Sequence, residues 1–385
     1  MQSKRKVALF VSSLDFGGAE RVVSHLCNEL IKYFDVTLIL LYNNIEYPLN
    51  SNVKVIALSE DNETHKKNKI AHFKDYYKFI FKYQKVLKNE NIDLVISFMI
   101  RQNMINGIAK TFNPNLKTII SERCFPSKRY LDTQSRALLT KTLIPFLYNK
   151  NNKLFSNSVY INKDLIENFK IKIDTSVIYN PIQIEQIQPY FKSYTSEKDT
   201  FKTVTVGRLI PIKNQKSILN AMSTLPDYVC FDIFGDGELK KRLTNLSEKN
   251  NLTKRVTFYG NASNIKTQLT NYHCFILSSL SEGFPNAILE AMSVGLPVIA
   301  TNCMSGPLEL LNENKPATIA SGTYYKAKYG ILVNIDDSQG IANAILYLKQ
   351  NNKVRQEYSN LGFNRAKNYS LKKIGLQVKE LIDSI

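Results

Sequence analysis

The feature that most constrains the fold is an alternation of short apolar runs with segments of helical periodicity. In the first half of the chain, runs typical of buried strands lie at 7–11, 36–41, 53–58, 94–98, 118–120 and 177–179. An amphipathic segment follows the first run, with Val22, Val23, Leu26 and Leu30 at helical spacing. Buried strands that alternate with helices predict a parallel, doubly wound sheet.

The alternation stops in the polar stretch 183–201 and starts again at 203–206. Later strand-like runs lie at 229–234, 256–259, 274–277, 298–301 and 330–333. We therefore predict an α/β protein with two Rossmann-like domains, residues 1–182 and 202–385, joined by a linker at 183–201. The last helix is expected to pack on the N-terminal domain. The ligand is expected in the cleft between the domains, at the carboxyl ends of the strands.

Composition and charge exclude several classes of protein. A hydrophobic content of 44% excludes a disordered chain, and no run approaches the ~18 apolar residues of a membrane span. Five scattered cysteines without zinc-site or disulfide spacing favour the reducing cytoplasm. The net charge of +18 predicts an anionic partner, either nucleic acid or a membrane surface. The sequence lacks tryptophan and any nucleic-acid-binding signature, so we expect no nucleic acid partner.

Two segments have the residues of an anion site at a strand end. Gly17 and Gly18 follow the first strand, where small residues let the backbone approach a ligand at a helix N-terminus. Their spacing differs from that of a dinucleotide motif, which disfavours NAD. Arg208 and Lys213 follow the first strand of the second half and could clamp a diphosphate. A pair of solvated surface charges would have the same pattern.

The most informative segment is 281–292, which contains two acidic residues around a helix start. Pro285 suits the first turn of a helix, so Glu290 falls in the second turn and Glu282 in the preceding loop. Two acids could be the pair of a glycoside hydrolase. The amides of Gly283, Phe284 and Asn286 instead predict an anion site between them, with the acids hydrogen-bonded to hydroxyls. Helix capping or solvated carboxylates remain alternatives.

Taken in order along the chain, these motifs resemble those of the retaining glycosyltransferases of family 4, which have the GT-B fold. The matching motifs are Gly17-Gly18, Gly207-Arg208 with Lys213, Gly235-Asp236-Gly237, and Glu282 and Glu290 with seven residues between them. The resemblance spans nearly the whole chain. The segments 17–22, 96–98, 120–122 and 179–181 are similar to those of enzymes that extend undecaprenyl-diphosphate-linked oligosaccharides, including N-acetylgalactosaminyltransferases.

The resemblance implies a role for each of these residues. Arg208 and Lys213 would bind the diphosphate of a nucleotide-sugar donor, expected to be a UDP-sugar, and neutralise it as it leaves. Glu290 would hold the ribose and Glu282 the sugar hydroxyls. Residues expected close to the donor are Gly283, Phe284, Asn286, Gly17 and Gly18. No metal or other cofactor is implied, because the cations and helix dipoles supply the charge. The departing phosphate would accept the acceptor's proton, which retains the anomeric configuration.

The sequence departs from the family pattern in one place. Many members carry a sugar-contacting histidine near position 122, where this chain has Ser121-Glu122-Arg123. No histidine of the chain clearly replaces it. Glu122 and Arg123 are therefore candidates for acceptor or sugar contacts, as are Arg101 and Asn103 after the strand at 94–98.

A basic helix is predicted at residues 65–91. It would place Lys74, Lys78, Lys82 and Lys85 on one face, flanked by Tyr77 and Phe81, with Tyr76, Ile80, Tyr83 and Leu87 opposite. Such a face could bind anionic lipid headgroups on the inner side of the plasma membrane, where a lipid-linked acceptor lies. An ordinary solvated face is the alternative.

We therefore expect a cytoplasmic, membrane-associated retaining glycosyltransferase of bacterial surface glycan synthesis. It would move a hexose or N-acetylhexosamine from a UDP-sugar to a lipid-linked oligosaccharide. The alternatives are a nucleotide-sugar epimerase, a glycosyltransferase with a soluble acceptor, a non-catalytic nucleotide-sugar sensor and a nucleic-acid-binding protein. The sequence makes no prediction of the oligomeric state.

Overall fold

The chain folds into two compact units in this computed structural model. The structure describes residues 4–15, 17–60, 69–130, 134–185, 188–191, 199–262 and 264–385, with the backbone alone at 69–76, 130 and 134–139. One unit consists of Met1–Pro181 with Leu371–Ile385, and the other of Ile182–Ser370. Each unit is built on its own sheet, which confirms the predicted pair of Rossmann-like domains.

The first unit contains a parallel sheet. Its strands are β1 (Lys6–Val11), β2 (Asp35–Tyr42), β3 (Lys54–Ser59), β4 (Leu94–Phe98), β5 (Lys117–Glu122), β6 (Lys153–Ser156) and β7 (Asp174–Val177). Their order in the described sheet is β3-β2-β1-β4-β5-β6-β7. The sequence prediction missed β6, because only Leu154 and Phe155 are apolar in this short strand.

Helices cover both faces of this sheet. They are α1 (Gly18–Leu30), α2 (Lys69–Asn89), α3 (Met99–Phe112), α4 (Pro126–Tyr130), α5 (Gln134–Tyr148) and α6 (Val159–Phe169). Alternate residues of β1 enter different cores: Leu9 packs in the cluster that contains Val23 of α1, and Phe10 in the cluster that contains Tyr83 of α2. This alternation is the reason that residues 7–11 of β1 are all apolar.

The second unit contains a mixed sheet. Its strands are β8 (Phe201–Val206), β9 (Val229–Phe234), β10 (Val256–Gly260), β11 (Cys274–Leu277), β12 (Val298–Thr301), β13 (Tyr324–Ala327) and β14 (Gly330–Val333). Their order is β10-β9-β8-β11-β12-β14-β13, and β13 pairs antiparallel with β14. The sequence analysis predicted a parallel sheet and did not include β13, so it missed the antiparallel edge. Only two residues separate β13 from β14, too few for a crossover helix.

The helices of the second unit are α7 (Gln215–Met222), α8 (Lys240–Lys249), α9 (Ile265–Leu269), α10 (Asn286–Ser293), α11 (Pro307–Asn312), α12 (Ser338–Gln350) and α13 (Asn352–Ala366). A short 3-10 helix at Pro211–Lys213 precedes α7. None of the helices in the described part of either unit is long and apolar enough to cross a membrane.

The boundaries of the two units differ from those expected for the domains. The structure assigns the described part of the predicted linker to the second unit, where the Tyr190 N–H donates to the Val294 carbonyl oxygen at 2.9 Å. The C-terminal helix α14 (Leu371–Asp383) belongs to the first unit. Its residues Ile374 and Val378 lie in the same core cluster as Val22 and Leu26 of α1.

Two helical glycines provide a test of how closely α14 packs on α1. A Cβ atom at Gly375 would lie 2.4 Å from Cγ of Glu29, a side chain of α1 that is only 4% exposed. At Gly362 of α13, the nearest atom would be Cγ of Met292 at 3.5 Å, an ordinary contact. Glycine in a helix interior costs about 1 kcal/mol relative to alanine, and overpacking costs about 1–3 kcal/mol.

We expect Gly362→Ala to leave the free energy of unfolding unchanged or to raise it. Gly375→Ala should lie about 1–3 kcal/mol below Gly362→Ala, because the new methyl group must displace Glu29. Thermal and denaturant unfolding followed by circular dichroism would measure both. Equal stability of the two variants would contradict the close packing of α14 on α1.

Candidate active site

The carboxyl ends of β8 and β11 bring together residues that are distant in sequence. The two strands are parallel neighbours, with Cys274 paired to Thr203. Lys213 is the last residue of the 3-10 helix after β8, and Glu282 lies in the loop between β11 and α10. Their side chains, 69 residues apart in sequence, form an ion pair with 2.6 Å between Nζ and Oε1.

This ion pair is partly enclosed and is held by hydrogen bonds. The side chain of Glu282 is 9% exposed and that of Lys213 is 24% exposed. The Ser279 hydroxyl donates to Glu282 Oε1 at 2.6 Å, and the Ser278 hydroxyl donates to the Lys213 carbonyl oxygen at 2.9 Å. Burial and the charge of Glu282 raise the pKa of the nearby Cys303 thiol to about 12. Neither member of the pair is thus a freely solvated charge.

Glu290 lies in the second turn of α10, as the sequence predicted. It is 3% exposed, and the helix has Pro285 at its N-cap position without a side-chain cap. These facts rule out a solvated or helix-capping role for Glu290. A carboxylate buried this deeply stays charged at low cost only when hydrogen-bond donors or a ligand surround it.

The backbone amides that are predicted to contact the nucleotide-sugar lie between Glu282 and Glu290 in sequence. Gly283 and Phe284 are in the turn that leads from Glu282 into α10, and Asn286 is the first residue of that helix. The Ser305 hydroxyl donates to the Gly283 carbonyl oxygen at 2.7 Å, and Phe284 packs on the Tyr369 ring. Sequence analysis missed Ser305, whose only signal was its place just after the strand at 298–301.

Arg208 follows β8 and has an exposed side chain that makes no ion pair with any described residue. Its backbone is shaped by the glycine turn at 235–237, which follows the neighbouring strand β9. The N–H of Leu209 donates to the Asp236 carbonyl oxygen at 2.9 Å. A Cβ atom at Gly235, where φ is +133°, would lie 2.1 Å from the Gly207 carbonyl oxygen. The glycine turn thus supports the loop that carries Arg208.

In the first unit, Gly17 is the N-cap residue of α1 and Gly18 is the first residue of that helix. A Cβ atom at Gly17 would lie 2.0 Å from a carboxylate oxygen of Glu20, the end of a side chain that can move aside. The Tyr47 hydroxyl donates to the Gly17 carbonyl oxygen at 3.1 Å. The expected contact of Gly17 and Gly18 with the nucleotide-sugar donor stays a prediction.

The structure revises the roles expected of Glu122 and Asn103. Both side chains are fully buried. The Tyr148 hydroxyl donates to Glu122 Oε2 at 3.0 Å, and Asn103 Nδ2 donates to that hydroxyl at 3.2 Å and to the Ser121 carbonyl oxygen at 2.9 Å. Burial and the charge of Glu122 raise the pKa of Tyr148. As placed, these side chains support the end of β5 and do not face solvent.

Arg123 comes directly after β5 and is 8% exposed. Its guanidinium lies 5.3 Å from the Phe98 ring centre and 4.9 Å from that of Phe155, and Nη1 donates to Asn180 Oδ1 at 2.9 Å. Burial lowers the pKa of Arg123 to about 9, partly offset by the charge of Glu122, so the group stays charged at neutral pH. Arg101, the other predicted contact, is half-buried, and its Nη1 donates to the Tyr42 hydroxyl at 3.5 Å.

The basic helix predicted at 65–91 is α2, and three of its predicted lysines have described side chains. Lys78, Lys82 and Lys85 are exposed, together with Tyr77 at 74% and Phe81 at 69%. The side chains of Lys74 and Tyr76 and all of residues 65–68 lie outside the described part. The buried face differs from the prediction: it consists of Phe79, Tyr83 and Leu87, whereas Ile80 is only half-buried.

His273 precedes strand β11 and was expected to have a structural or surface role. His273 accepts a hydrogen bond from the Lys202 N–H at 2.9 Å and stacks on Phe201, which is a structural role. The described residues contain no cluster of His, Cys, Asp and Glu side chains that could hold a metal ion.

Comparison with known proteins gives the family of this chain. The family described as "Glycosyltransferase Family 4" matches residues 16–186, and that described as "Glycosyl transferases group 1" matches residues 186–365. The N-acetylgalactosamine-N,N'-diacetylbacillosaminyl-diphospho-undecaprenol 4-alpha-N-acetylgalactosaminyltransferase of Campylobacter jejuni is 30% identical over 372 residues, 96% of this chain and 97% of that enzyme.

Two further proteins are similar over most of the chain. The UDP-Gal:alpha-D-GlcNAc-diphosphoundecaprenol alpha-1,3-galactosyltransferase of Escherichia coli is 28% identical over 300 residues, 72% of this chain and 71% of that enzyme. The crystal structure of Anabaena HepE in complex with UDP has a TM-score of 0.74 at 18% identity and covers 99% of this chain and 100% of that one. The chain belongs to the family 4 glycosyltransferases and has their GT-B fold.

The glycine turn beside Arg208 can be tested with a matched control. Gly235→Ala should weaken UDP binding by roughly tenfold or more, because the new Cβ atom must push the Gly207 carbonyl and hence the Arg208 loop out of place. Gly322 has a φ of +73°, and a Cβ atom there would make only ordinary contacts, the nearest with Cγ of Gln339 at 3.5 Å, so Gly322→Ala has the strain of the conformation without the displacement. Isothermal titration with UDP would compare them. If both variants bound UDP as the parent does, the turn would have no part in the site.

Proposed function

We propose that this glycosyltransferase moves a hexose or N-acetylhexosamine, with retention, from a UDP-sugar to a polyprenyl-diphosphate-linked oligosaccharide in bacterial surface glycan synthesis. The observation that carries this proposal is the similarity, over 96% of the chain, to an enzyme whose acceptor is linked to diphospho-undecaprenol. The name of the Escherichia coli relative supports a UDP-linked donor and the same kind of lipid carrier. The UDP in the HepE crystal structure also supports a UDP-linked donor.

The geometry of the second unit supports a donor site built on Lys213, Arg208 and the two glutamates. Lys213 and Arg208 bind the donor diphosphate, which competes with Glu282 for the Lys213 ammonium. Glu282, once released, accepts hydrogen bonds from sugar hydroxyls. Buried Glu290 accepts them from the ribose, with the amides of the turn before α10 near the phosphates.

The same cations supply the charge stabilisation of the reaction. As the sugar–phosphate bond breaks, negative charge grows on the departing phosphate next to Lys213 and Arg208. That phosphate accepts the proton of the attacking acceptor hydroxyl on the same face of the sugar, which retains the configuration. We propose that no metal ion takes part, because two cationic side chains occupy that role.

The acceptor side is assigned to the first unit. We propose that Arg123 and Arg101 at the carboxyl edge of its sheet contact the acceptor, with Glu122 and Asn103 holding this edge in place. The exposed lysines and aromatic rings of α2 support peripheral binding to the anionic inner face of the plasma membrane. Such binding would bring the cytoplasmic enzyme to its lipid-linked substrate.

The transfer reaction is the direct test. The purified protein is incubated with a panel of UDP-sugars and a polyprenyl-diphosphate-linked oligosaccharide, with and without a chelator. We expect transfer with one donor, unaffected by chelator, and an α-linked product by NMR. Lys213→Ala should lower kcat/KM by roughly 10- to 100-fold, from a charge-assisted contact of ~1.5–3 kcal/mol. Lys216→Ala, an exposed lysine on α7, should have no effect.

Two results would contradict the proposed function. Conversion of the donor to another UDP-sugar without transfer would indicate an epimerase. Equal transfer rates to a soluble oligosaccharide and to the lipid-linked one would contradict the proposed lipid-linked acceptor. A Lys213→Ala variant as active as the parent would show that Lys213 has no part in the site.

Membrane binding has its own test. Replacing Lys78, Lys82 and Lys85 by alanine should weaken binding to vesicles that contain anionic lipid by up to about 1 kcal/mol per lysine, and should leave UDP binding unchanged. Exposed lysines on the second unit, Lys241, Lys254 and Lys353, provide a control triple variant with the same loss of charge. Co-sedimentation would measure both. Equal binding of the two triple variants would show that α2 is an ordinary solvated face.

A further inference from the structure

Arg123 is a buried cation that forms only one side-chain hydrogen bond with the described residues. Its guanidinium has five N–H donors, and the described residues supply one acceptor, Asn180 Oδ1. The Nε atom is fully buried and has no hydrogen-bond partner. No carboxylate of the described residues forms an ion pair with the group. Burying a charge in this way is costly unless further partners complete its environment.

The neighbouring carboxylate does not complete that environment. Glu122 Oε2 accepts from the Tyr148 hydroxyl, and Oε1 accepts from the backbone N–H of Arg123 at 3.2 Å and from the Cys124 thiol at 3.4 Å. These bonds turn the Glu122 carboxylate to groups other than the guanidinium. The rings of Phe98 and Phe155 stabilise the cation but accept no directed hydrogen bonds from Nε.

The scaffold around the guanidinium is rigid. Phe98 is the last residue of β4, Phe155 lies in β6, and Arg123 itself follows β5, which pairs with both strands. Asn180 comes shortly after β7. The ends of four adjacent strands thus position the planar Arg123 guanidinium at the carboxyl edge of the sheet, where open parallel sheets bind their ligands. Arg123 as a whole retains 8% exposure.

We propose that Arg123 binds the diphosphate of the lipid-linked acceptor, an assignment that rests on the proposed function for the identity of that acceptor. A phosphate offers oxygen acceptors in the geometry that the planar guanidinium matches, and its negative charge would add to that of Glu122 in compensating the cation. Glu122 and Tyr148 are positioning residues, because they hold the backbone at Arg123 without facing the ligand.

The donor also contains a diphosphate, so the first experiment separates the two sources. In an Arg208→Ala/Lys213→Ala background, which lacks the donor-site cations, inorganic pyrophosphate should still raise the melting temperature. Adding Arg123→Gln should abolish that shift. Adding Lys117→Gln should preserve it, because Lys117 is an exposed residue at the opposite end of β5. Absence of a pyrophosphate shift in the starting background, or its survival in Arg123→Gln, would overturn the proposal.

The second experiment measures transfer with two acceptors that carry the same oligosaccharide. One is linked to a short polyprenyl diphosphate and the other is a neutral alkyl glycoside. Arg123→Gln should lower the kcat/KM for the diphosphate acceptor relative to that for the alkyl glycoside by roughly 10- to 100-fold, the effect of one charge-assisted contact. The relative kcat/KM of Arg123→Lys should lie between those of Arg123→Gln and the parent. The KM for the UDP-sugar should not change.

Each other outcome of this assay decides against the assignment. An equal loss on both acceptors would indicate a structural role for Arg123, and a raised KM for the UDP-sugar would place the donor diphosphate there. The pyrophosphate experiment does not depend on transfer. A protein that binds pyrophosphate through Arg123 but transfers no sugar to a lipid-linked acceptor would therefore refute the proposed function and not the anion site.

Discussion

Parallel pairing of β8 with β11 is the constraint on which the geometry of the second unit depends. Because the two strands are neighbours and run in the same direction, the loops after them meet at one edge of the sheet. Lys213 and Glu282 form their 2.6 Å ion pair at that edge. The glycine turn after β9 adds a third loop, and its close approach to Gly207 positions the backbone of Arg208. A family 4 glycosyltransferase thus obtains its cations and carboxylates from loops that strand order places side by side.

The cations Lys213 and Arg123 have different surroundings. In the second unit, Lys213 has a carboxylate partner, and under the proposed function an incoming diphosphate would exchange with this ion pair. In the first unit, the guanidinium of Arg123 lies between two aromatic rings with a single hydrogen bond. The Nε atom of this group has no hydrogen-bond partner among the described residues, which is the basis of the anion site proposed for it.

Several features of this arrangement were visible in the sequence, and others were not. Apolar runs located most strands, and the proline at 285 correctly placed Glu290 in the second turn of α10. The short strands β6 and β13 were missed, because four residues are too few to establish a period. Glu122 and Asn103 were expected to meet a substrate but are fully buried, since charged and amide side chains indicate solvent exposure only on average. On α2, Tyr83 and Leu87 are buried as predicted, but the third buried residue is Phe79, one position from the predicted Ile80.

The sequence by itself determined the α/β class, the two-domain plan and the residues of the donor motif, because these depend on local periodicity and on short motifs. Only the tertiary structure decided which charges are paired. Lys213 forms an ion pair with Glu282, 69 residues away in sequence, whereas the Arg123 guanidinium lies against aromatic rings from two other strands. The physical reason is that burial and electrostatic partners depend on the order in which strands pair. No local window of the sequence contains that order, and it is strand order that brings each charge to its neighbours.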